Sequence, residues 1–262
     1  MSNKISDYAA RLRAAQQNKQ PITTFTTTDT SFDVEAAYQV QMLNVSQALS
    51  QGDIITGKKI GLTSLAMQEL LGVTEPDYGH LFASMACHDH EVDSSVLLQA
   101  KIEAEIAFIL KSDLAGGKVT VDDVLAATAY VVGAFEIVDS RIADWKIALA
   151  DTIADNASSG LYLLGEKRIA ACELDLSQVT MKLYKYIDNQ PILQNQGQGS
   201  DVLGNPTIAV SWLANKLWHY GVTLKAGEIV LSGALTAALP ATKGDRFRAE
   251  FSDFGPLEAE FI

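Results

Sequence analysis

Two glutamates, Glu103 and Glu105, lie two residues apart in the stretch KIEAEIAFIL, and a third, Glu136, sits in the apolar run VVGAFEIVDS. In a β-strand successive side chains alternate between faces, so Glu103 and Glu105 share one face while Ile102, Ala104, Ile106 and Phe108 occupy the other. Like charges at that spacing repel, and burial makes each harder to keep ionised. A proton, a neighbouring base or a metal ion would relieve the conflict. Three carboxylates could give oxygen ligands to Mg²⁺ or Mn²⁺ and leave positions for water and substrate. Equally, they could pair with Lys101, Arg141 or another base. Zinc fits less well, because no paired histidines or cysteines accompany the acids.

Other polar groups carry chemistry only in context. Lys59, in TGKKIGLTS, shares a face with alternate residues of a short extended stretch, and Lys58 points elsewhere. A lysine beside a carboxylate can shuttle protons, anchor an anion or balance charge, although a lysine alone is more often a surface residue. Asp77, in EPDYG, reads first as a turn-stabilising acid. Ser158 lies in DTIADNASSG, where Asp155, Asn156 and Ser159 crowd a turn able to orient water or merely to cap a helix. His80, His88, His90 and His219 form neither a nucleophile elbow nor an HExxH helix. GQGSDVLGNP lacks the Walker lysine, so nucleotide binding has little support.

The elements that must position these groups can be traced along the chain. Tyr8, Leu12 and Ala15 line a first helix ending before QQNKQP; Val34, Tyr38, Met42, Val45 and Leu49 line a second, stopped by Gly52. DIITGKKIGLTS is strand-like and SLAMQELLG helical. After the Gly-Gly turn, Thr120 and Asp123 form a capping box for a helix through DDVLAATAYVV. Asn205 caps, Pro206 opens and Gly221 stops a helix in NPTIAVSWLANKLWHYG. Phe247, Ala249 and Phe251, then Leu257, Ala259 and Phe261, alternate as strands. A regular βα alternation is missing, so Rossmann and (β/α)8 folds match poorly.

The 262 residues, 48% hydrophobic and 20% charged, suit a folded chain of one large or two small domains. A formal charge of -12 argues against a nucleic-acid partner, yet local cations can still admit a small anion. Cys87 and Cys172 match no metal cluster or disulfide framework and are expected as free thiols. Neither a signal-peptide core nor a membrane-length apolar segment is evident, so the expected location is cytoplasmic, without a membrane partner.

Together AAYQVQ, GKKIGLTS, EPDYGHLFASM, KIEAEIAFIL, EIVDSRIADW, DTIADNASSG, LGNP, AVSWLANKL and IVLSGAL form an ordered series from about Ala36 to Leu235. On these motifs the chain resembles the hydratase/decarboxylase branch of the fumarylacetoacetate hydrolase superfamily. The resemblance implies an α+β fold: a β-rich, mixed-sheet, barrel-like core at 77–262 with a mainly helical N-terminal region at 1–76 packed on it. It implies Glu103, Glu105 and Glu136 as ligands of Mg²⁺ or Mn²⁺, and Lys59, Asp77 and Ser158 as catalytic residues. The implied substrate is a small anionic 2-hydroxydienoate or 2-oxoenoate, and the implied assembly a homo-oligomer, often built from pentamers. The implied reaction is hydration of 2-hydroxypenta-2,4-dienoate to 4-hydroxy-2-oxopentanoate in aromatic catabolism. Decarboxylases share the glutamates and the lysine, but commonly carry an apolar residue where this chain has Asp77. Hydratases of longer diacids carry DNAAN in place of DNASS. Decarboxylation of 4-oxalocrotonate, or an inactive scaffold that only assembles or binds a partner, are the alternatives.

Overall fold

The computed structural model describes residues 2–65, 68–69 and 72–262. The chain begins with α1 (Ser2–Asn18) and α2 (Val34–Ser50) and then enters β1 (Ile55–Gly61) and β2 (Asp77–Phe82). There follow β3 (Glu91–Val92), β4 (Lys101–Leu110), α3 (Val121–Ala127), β5 (Thr128–Val138), α4 (Leu149–Ala154) and β6 (Ser159–Leu164). The remainder comprises β7 (Thr180–Ile187), β8 (Gln190–Gln198), α5 (Pro206–Trp218), β9 (Ile229–Ala234), β10 (Leu239–Pro240), β11 (Arg246–Phe251) and β12 (Gly255–Phe261). This is the α+β class expected, with helices first and strands dominating afterwards.

The strands form a seven-stranded sheet in the order β2-β1-β9-β4-β5-β6, with β10 added on β4, and a five-stranded sheet in the order β3-β12-β11-β7-β8. Both are mixed: β1 runs parallel to β9 and β12 parallel to β3, while the other pairings are antiparallel. The larger sheet curls into a half-barrel. Beyond the end of β2, Cys87 N donates to the Tyr162 carbonyl of β6 at 2.8 Å, and Thr56 Oγ1 on β1 lies 3.1 Å from Tyr162 Oη across the curl.

Two apolar clusters follow from the alternation along these strands. The outer series of β4 and β5, including Ile106, Phe108 and Phe135, shares the main core with Phe247, Ala249, Phe251 and Phe261 of the second sheet. Inside the curl, Leu81, Ala107, Val132, Ala134, Tyr162 and Leu231 form a smaller cluster. The glutamates belong to this inner series, so polar groups continue the inner face where its apolar filling ends.

Local signals account for most boundaries. Asp33 caps α2 by accepting from Ala36 N, Thr120 and Asp123 form the expected box on α3, and Asn205 caps α5 ahead of Pro206. Three expectations require correction. The first helix continues through QQN to Asn18. The helix at DDVLAA ends at Ala127, and the following TAYVV enters β5, where β-branched and aromatic side chains pack better. On α2, Met42 and Leu49 are exposed, while Ala37, Val40 and Gln41 join Tyr38 and Val45 against the core. The helical passage expected over SLAMQELLG falls partly outside the described residues.

Candidate metal and catalytic site

β4 and β5 pair in a register that sets Glu103 directly opposite Glu136, with Glu105 two residues along the same face. One carboxylate oxygen from each of the three lies within 4.8 Å of the others. Glu105 and Glu136 are buried and Glu103 half-buried. Two like charges at that separation repel by roughly 3 kcal/mol even at an effective dielectric of 20. Desolvation, then the charge of Glu136, pushes Glu103 up to about 7. Burial, reinforced by Glu136 and Glu103, raises Glu105 well above the ordinary carboxylate range, and burial also raises Glu136.

The partners present do not balance these acids. Gly233 N donates to Glu105 Oε2 at 2.8 Å, and Lys59 Nζ makes an ion pair with Glu136 Oε1 at 3.2 Å. Glu105 Oε1 and both Glu136 oxygens have no well-aligned hydrogen-bond donor among the described residues. Burial works against the Lys59 ammonium, yet Glu136, Asp77, Glu103 and Glu105 outweigh it and raise its pKa. Four carboxyls thus face one ammonium. Oxygen-only donors, orphaned lone pairs and an excess of negative charge suit a hard divalent cation. Neither Lys101 nor Arg141 supplies the alternative ion pair: Lys101 Nζ lies over the Trp145 ring at 4.1 Å, and Arg141 pairs with Asp155.

Lys59 reaches the glutamates from the inner face of β1, as its alternation with Lys58 implied. Lys58 faces the other way and pairs with Glu228 at 3.3 Å. Asp77 corrects the turn reading: it opens β2 opposite Gly61 and is buried. A Cβ at Gly61 would collide with the Asp77 carboxylate and lie 3.5 Å from Lys59 Nζ, so the missing side chain lets the two groups share a space. Burial raises the Asp77 pKa, Lys59 opposes that rise, and Oδ1 has no hydrogen-bond partner among the described residues.

Ser158 belongs to a turn that holds Lys59. Asn156, Ala157 and Ser158 have φ of 57°, 51° and 53°, the left-handed region that costs non-glycine residues roughly 1–2 kcal/mol each. The turn presents the Ala157 carbonyl to Lys59 Nζ, which donates to it at 3.0 Å. Ser158 is buried, and its hydroxyl lies 3.2 Å from Thr152 Oγ1, so its link to Lys59 runs through the adjacent carbonyl. Asn156 pins the turn to β2: His80 N donates to its Oδ1 at 2.8 Å, and its Nδ2 donates to the His80 carbonyl at 2.9 Å. Gly79 makes room, since a Cβ there would strike the Asn156 carbonyl. Sequence reasoning missed Ala157, because a carbonyl ligand leaves no side-chain signature. Gly61, inside a strand-like stretch, was the available hint of close approach; Gly79 lay in a stretch that reads as a turn.

Residues 83–262 match the family pattern described as fumarylacetoacetate (FAA) hydrolase C-terminal. The chain belongs to the fumarylacetoacetate hydrolase family. Within that family it is 42% identical over 260 residues to a 2-keto-4-pentenoate hydratase of Burkholderia vietnamiensis (strain G4 / LMG 22486), covering 99% of this chain and 98% of the relative. It is 41% identical over 266 residues to a 2-hydroxyhexa-2,4-dienoate hydratase of Comamonas testosteroni, covering 100% and 99%. A solved 4-oxalocrotonate decarboxylase from Pseudomonas putida G7, complexed with magnesium and adipate, superposes with a TM-score of 0.94 at 32% identity, covering 100% and 98%. Among the described residues no helix is long and apolar enough to cross a membrane.

Proposed function

We propose that this member of the fumarylacetoacetate hydrolase family hydrates 2-hydroxypenta-2,4-dienoate to 4-hydroxy-2-oxopentanoate in the cytoplasm, in the catabolism of aromatic compounds. The observation that carries the choice is Asp77, a buried carboxyl beside Lys59 whose Oδ1 has no hydrogen-bond partner among the described residues. Water addition requires a group to take a proton from water; loss of carbon dioxide does not. The full-length similarity to named hydratases supports the same reading.

Glu103, Glu105 and Glu136 would hold Mg²⁺ or Mn²⁺, as the oxygen-only donor set favours. When bound, that cation supplies Lewis-acid stabilisation of negative charge on the substrate's C2 oxygen. The chemistry divides into two balanced steps. The 2-hydroxyl proton leaves and C5 gains a proton, giving the 2-oxo-3-enoate; water then adds hydroxide at C4 and a proton at C3. Lys59, kept as an ammonium by the surrounding acids, donates to oxygen charge as it develops. Asp77, when ionised, accepts a proton from water through Oδ1, which has no partner among the described residues. Ser158, oriented by Thr152, helps hold that water.

Purified protein with Mg²⁺ or Mn²⁺ should convert the dienoate to 4-hydroxy-2-oxopentanoate, followed by loss of dienoate absorbance and product chromatography. Stoichiometric carbon dioxide from 4-oxalocrotonate, without hydration of the monocarboxylic dienoate, would reverse the assignment. We further propose a homo-oligomer built from pentamers, which size-exclusion chromatography with light scattering would test.

A further inference from the structure

Arg141 does not touch the glutamates, yet it grips both ends of the turn that holds Lys59. Its Nε donates to Asp155 Oδ1 at 2.5 Å and its Nη2 to the Asp155 carbonyl at 2.6 Å, ahead of the turn. Beyond the turn, Nη1 donates to the Ser159 carbonyl at 2.8 Å. The main-chain N of Arg141 donates to Asp155 Oδ2 at 2.9 Å, closing a ring with the side chain. Asp139, whose carboxylate accepts from Leu98 N and Gln99 N and lies 3.8 Å from Arg141 Nη1, donates its own main-chain N to the Ser158 carbonyl.

Between these anchors lie the three consecutive left-handed residues, a conformation that persists only where its surroundings over-determine it. The middle residue, Ala157, supplies the carbonyl that receives Lys59 Nζ. We propose that Arg141 is a positioning residue for Lys59: its guanidinium brackets the left-handed turn at Asp155 and Ser159 and thereby fixes the Ala157 carbonyl. The proposal rests on the reading of Lys59 as a working group. A planar fork with donors in several directions meets the carboxylate and both carbonyls at once, whereas a lysine ammonium is a single point. Asn156 holds the same turn from β2, so the turn is restrained on two sides.

The test compares Arg141→Lys and the charge-removing pair Arg141→Gln/Asp155→Asn with wild type, each also placed in a Lys59→Met background. Neutralising Asp155 together with Arg141 removes the closest buried charge pair as a unit, while Asp139 keeps its donors Leu98 N and Gln99 N. Turnover of 2-hydroxypenta-2,4-dienoate, KM, melting temperature and calorimetric affinity for Mg²⁺ alone are measured for each. We expect kcat to fall about 10- to 100-fold in both variants, the scale of a misplacement of about an ångström. KM and Mg²⁺ affinity should stay within about threefold, because neither the glutamates nor their strands are touched. In the Lys59→Met background the same substitutions should change the residual rate by less than about threefold, since the group they position is gone.

Wild-type kcat in both folded variants overturns the proposal. So does an equal fold-loss with and without Lys59, which marks a general structural effect. Failure of both variants to fold would assign Arg141 to the frame alone and overturn it as well. If Lys59→Met itself hydrates at the wild-type rate, the reading of Lys59 fails. If Lys59→Met is slow and both Arg141 variants are fully active, only the positioning role fails.

Discussion

Glu103 and Glu136 stand directly opposite one another in the β4–β5 ladder, on the face that lines the inside of the curled sheet. Like charges in that relation destabilise a sheet. Among the described residues Lys59 meets only Glu136 within ion-pair distance, and Glu105 Oε1 has no hydrogen-bond donor. The arrangement therefore has more acid than its own cation can settle, and its stability and function should both respond to an added divalent ion.

Glu105→Gln should weaken Mg²⁺ or Mn²⁺ binding and catalysis together. The amide keeps the size and can still accept from Gly233 N, so the variant should fold, while one anionic ligand is lost. Isothermal titration of the folded variant reads the effect directly. Unchanged affinity would remove Glu105 from the ligand set. Mg²⁺ should also raise the melting temperature of wild type, and a chelator should reverse the gain.

Lys59→Met should lower kcat by about 10²–10³, the usual loss on removing one charge-stabilising donor. The thioether chain replaces the buried stem, so folding should persist, and Mg²⁺ should still bind because the glutamates remain. Near-wild-type hydration would exclude Lys59 from the chemistry.

The sequence exposed the acids and hid what organises them. Glu103 and Glu105 could be assigned a common face from alternation alone, and Glu136 was singled out by its apolar run; the structure supplies the register that sets it opposite Glu103. The caps at Thr120 and Asn205 were equally legible, because capping uses a local side-chain code. Asp77 was not, since its buried strand position depends on pairing with β1, and EPDYG alone reads as a turn. Arg141 was open as a partner of the glutamates; only the fold shows that Asp155 and Ser159 consume its donors. The exposed side of α2 was misread at Met42 and Leu49 because smaller residues, Ala37 and Val40, fit the close helix contact.

Gly79→Ala should perturb the site without touching a charged group. Its added methyl would meet the Asn156 carbonyl and, at 2.8 Å, Ser159 Oγ. Overpacking of this kind costs about 1–3 kcal/mol, and relief requires the turn carrying Ala157 to shift. The melting temperature should fall and kcat should fall further than stability alone explains. A stable, fully active variant would show that the turn has slack.

His80 gives a pH test away from the glutamates. Burial, then Lys58, depresses its pKa from 6.5 to about 3. Below about 6.5 the unfolded chain takes up a proton that the folded protein refuses, so this contribution to stability is full above that pH. It is lost as pH falls toward 3, at up to about 1.4 kcal/mol per unit. The buried acids with raised pKa act in the opposite sense, so only the difference between wild type and His80→Gln isolates the term. Denaturant titrations from pH 7 to 4 should show the wild type losing stability more steeply than the variant. Parallel curves would mean that His80 is not held neutral.

Asp77→Asn separates the two halves of the proposed reaction. The amide matches the carboxylate in size but cannot act as an ionised base. Asp77 lies beside Lys59 and is not one of the three clustered glutamates, so Mg²⁺ affinity should change little. Tautomerisation of the dienoate to the 2-oxo-3-enoate can be followed by absorbance, and 4-hydroxy-2-oxopentanoate by chromatography. If Asp77 serves the water step, the variant should still tautomerise while hydration slows by about 10²-fold or more, the lower range for a lost general base. Equal loss of both steps would move Asp77 to substrate binding or proton delivery at C5. Unimpaired hydration by the folded variant would remove it from the chemistry, and with it the residue that favours water addition over decarboxylation.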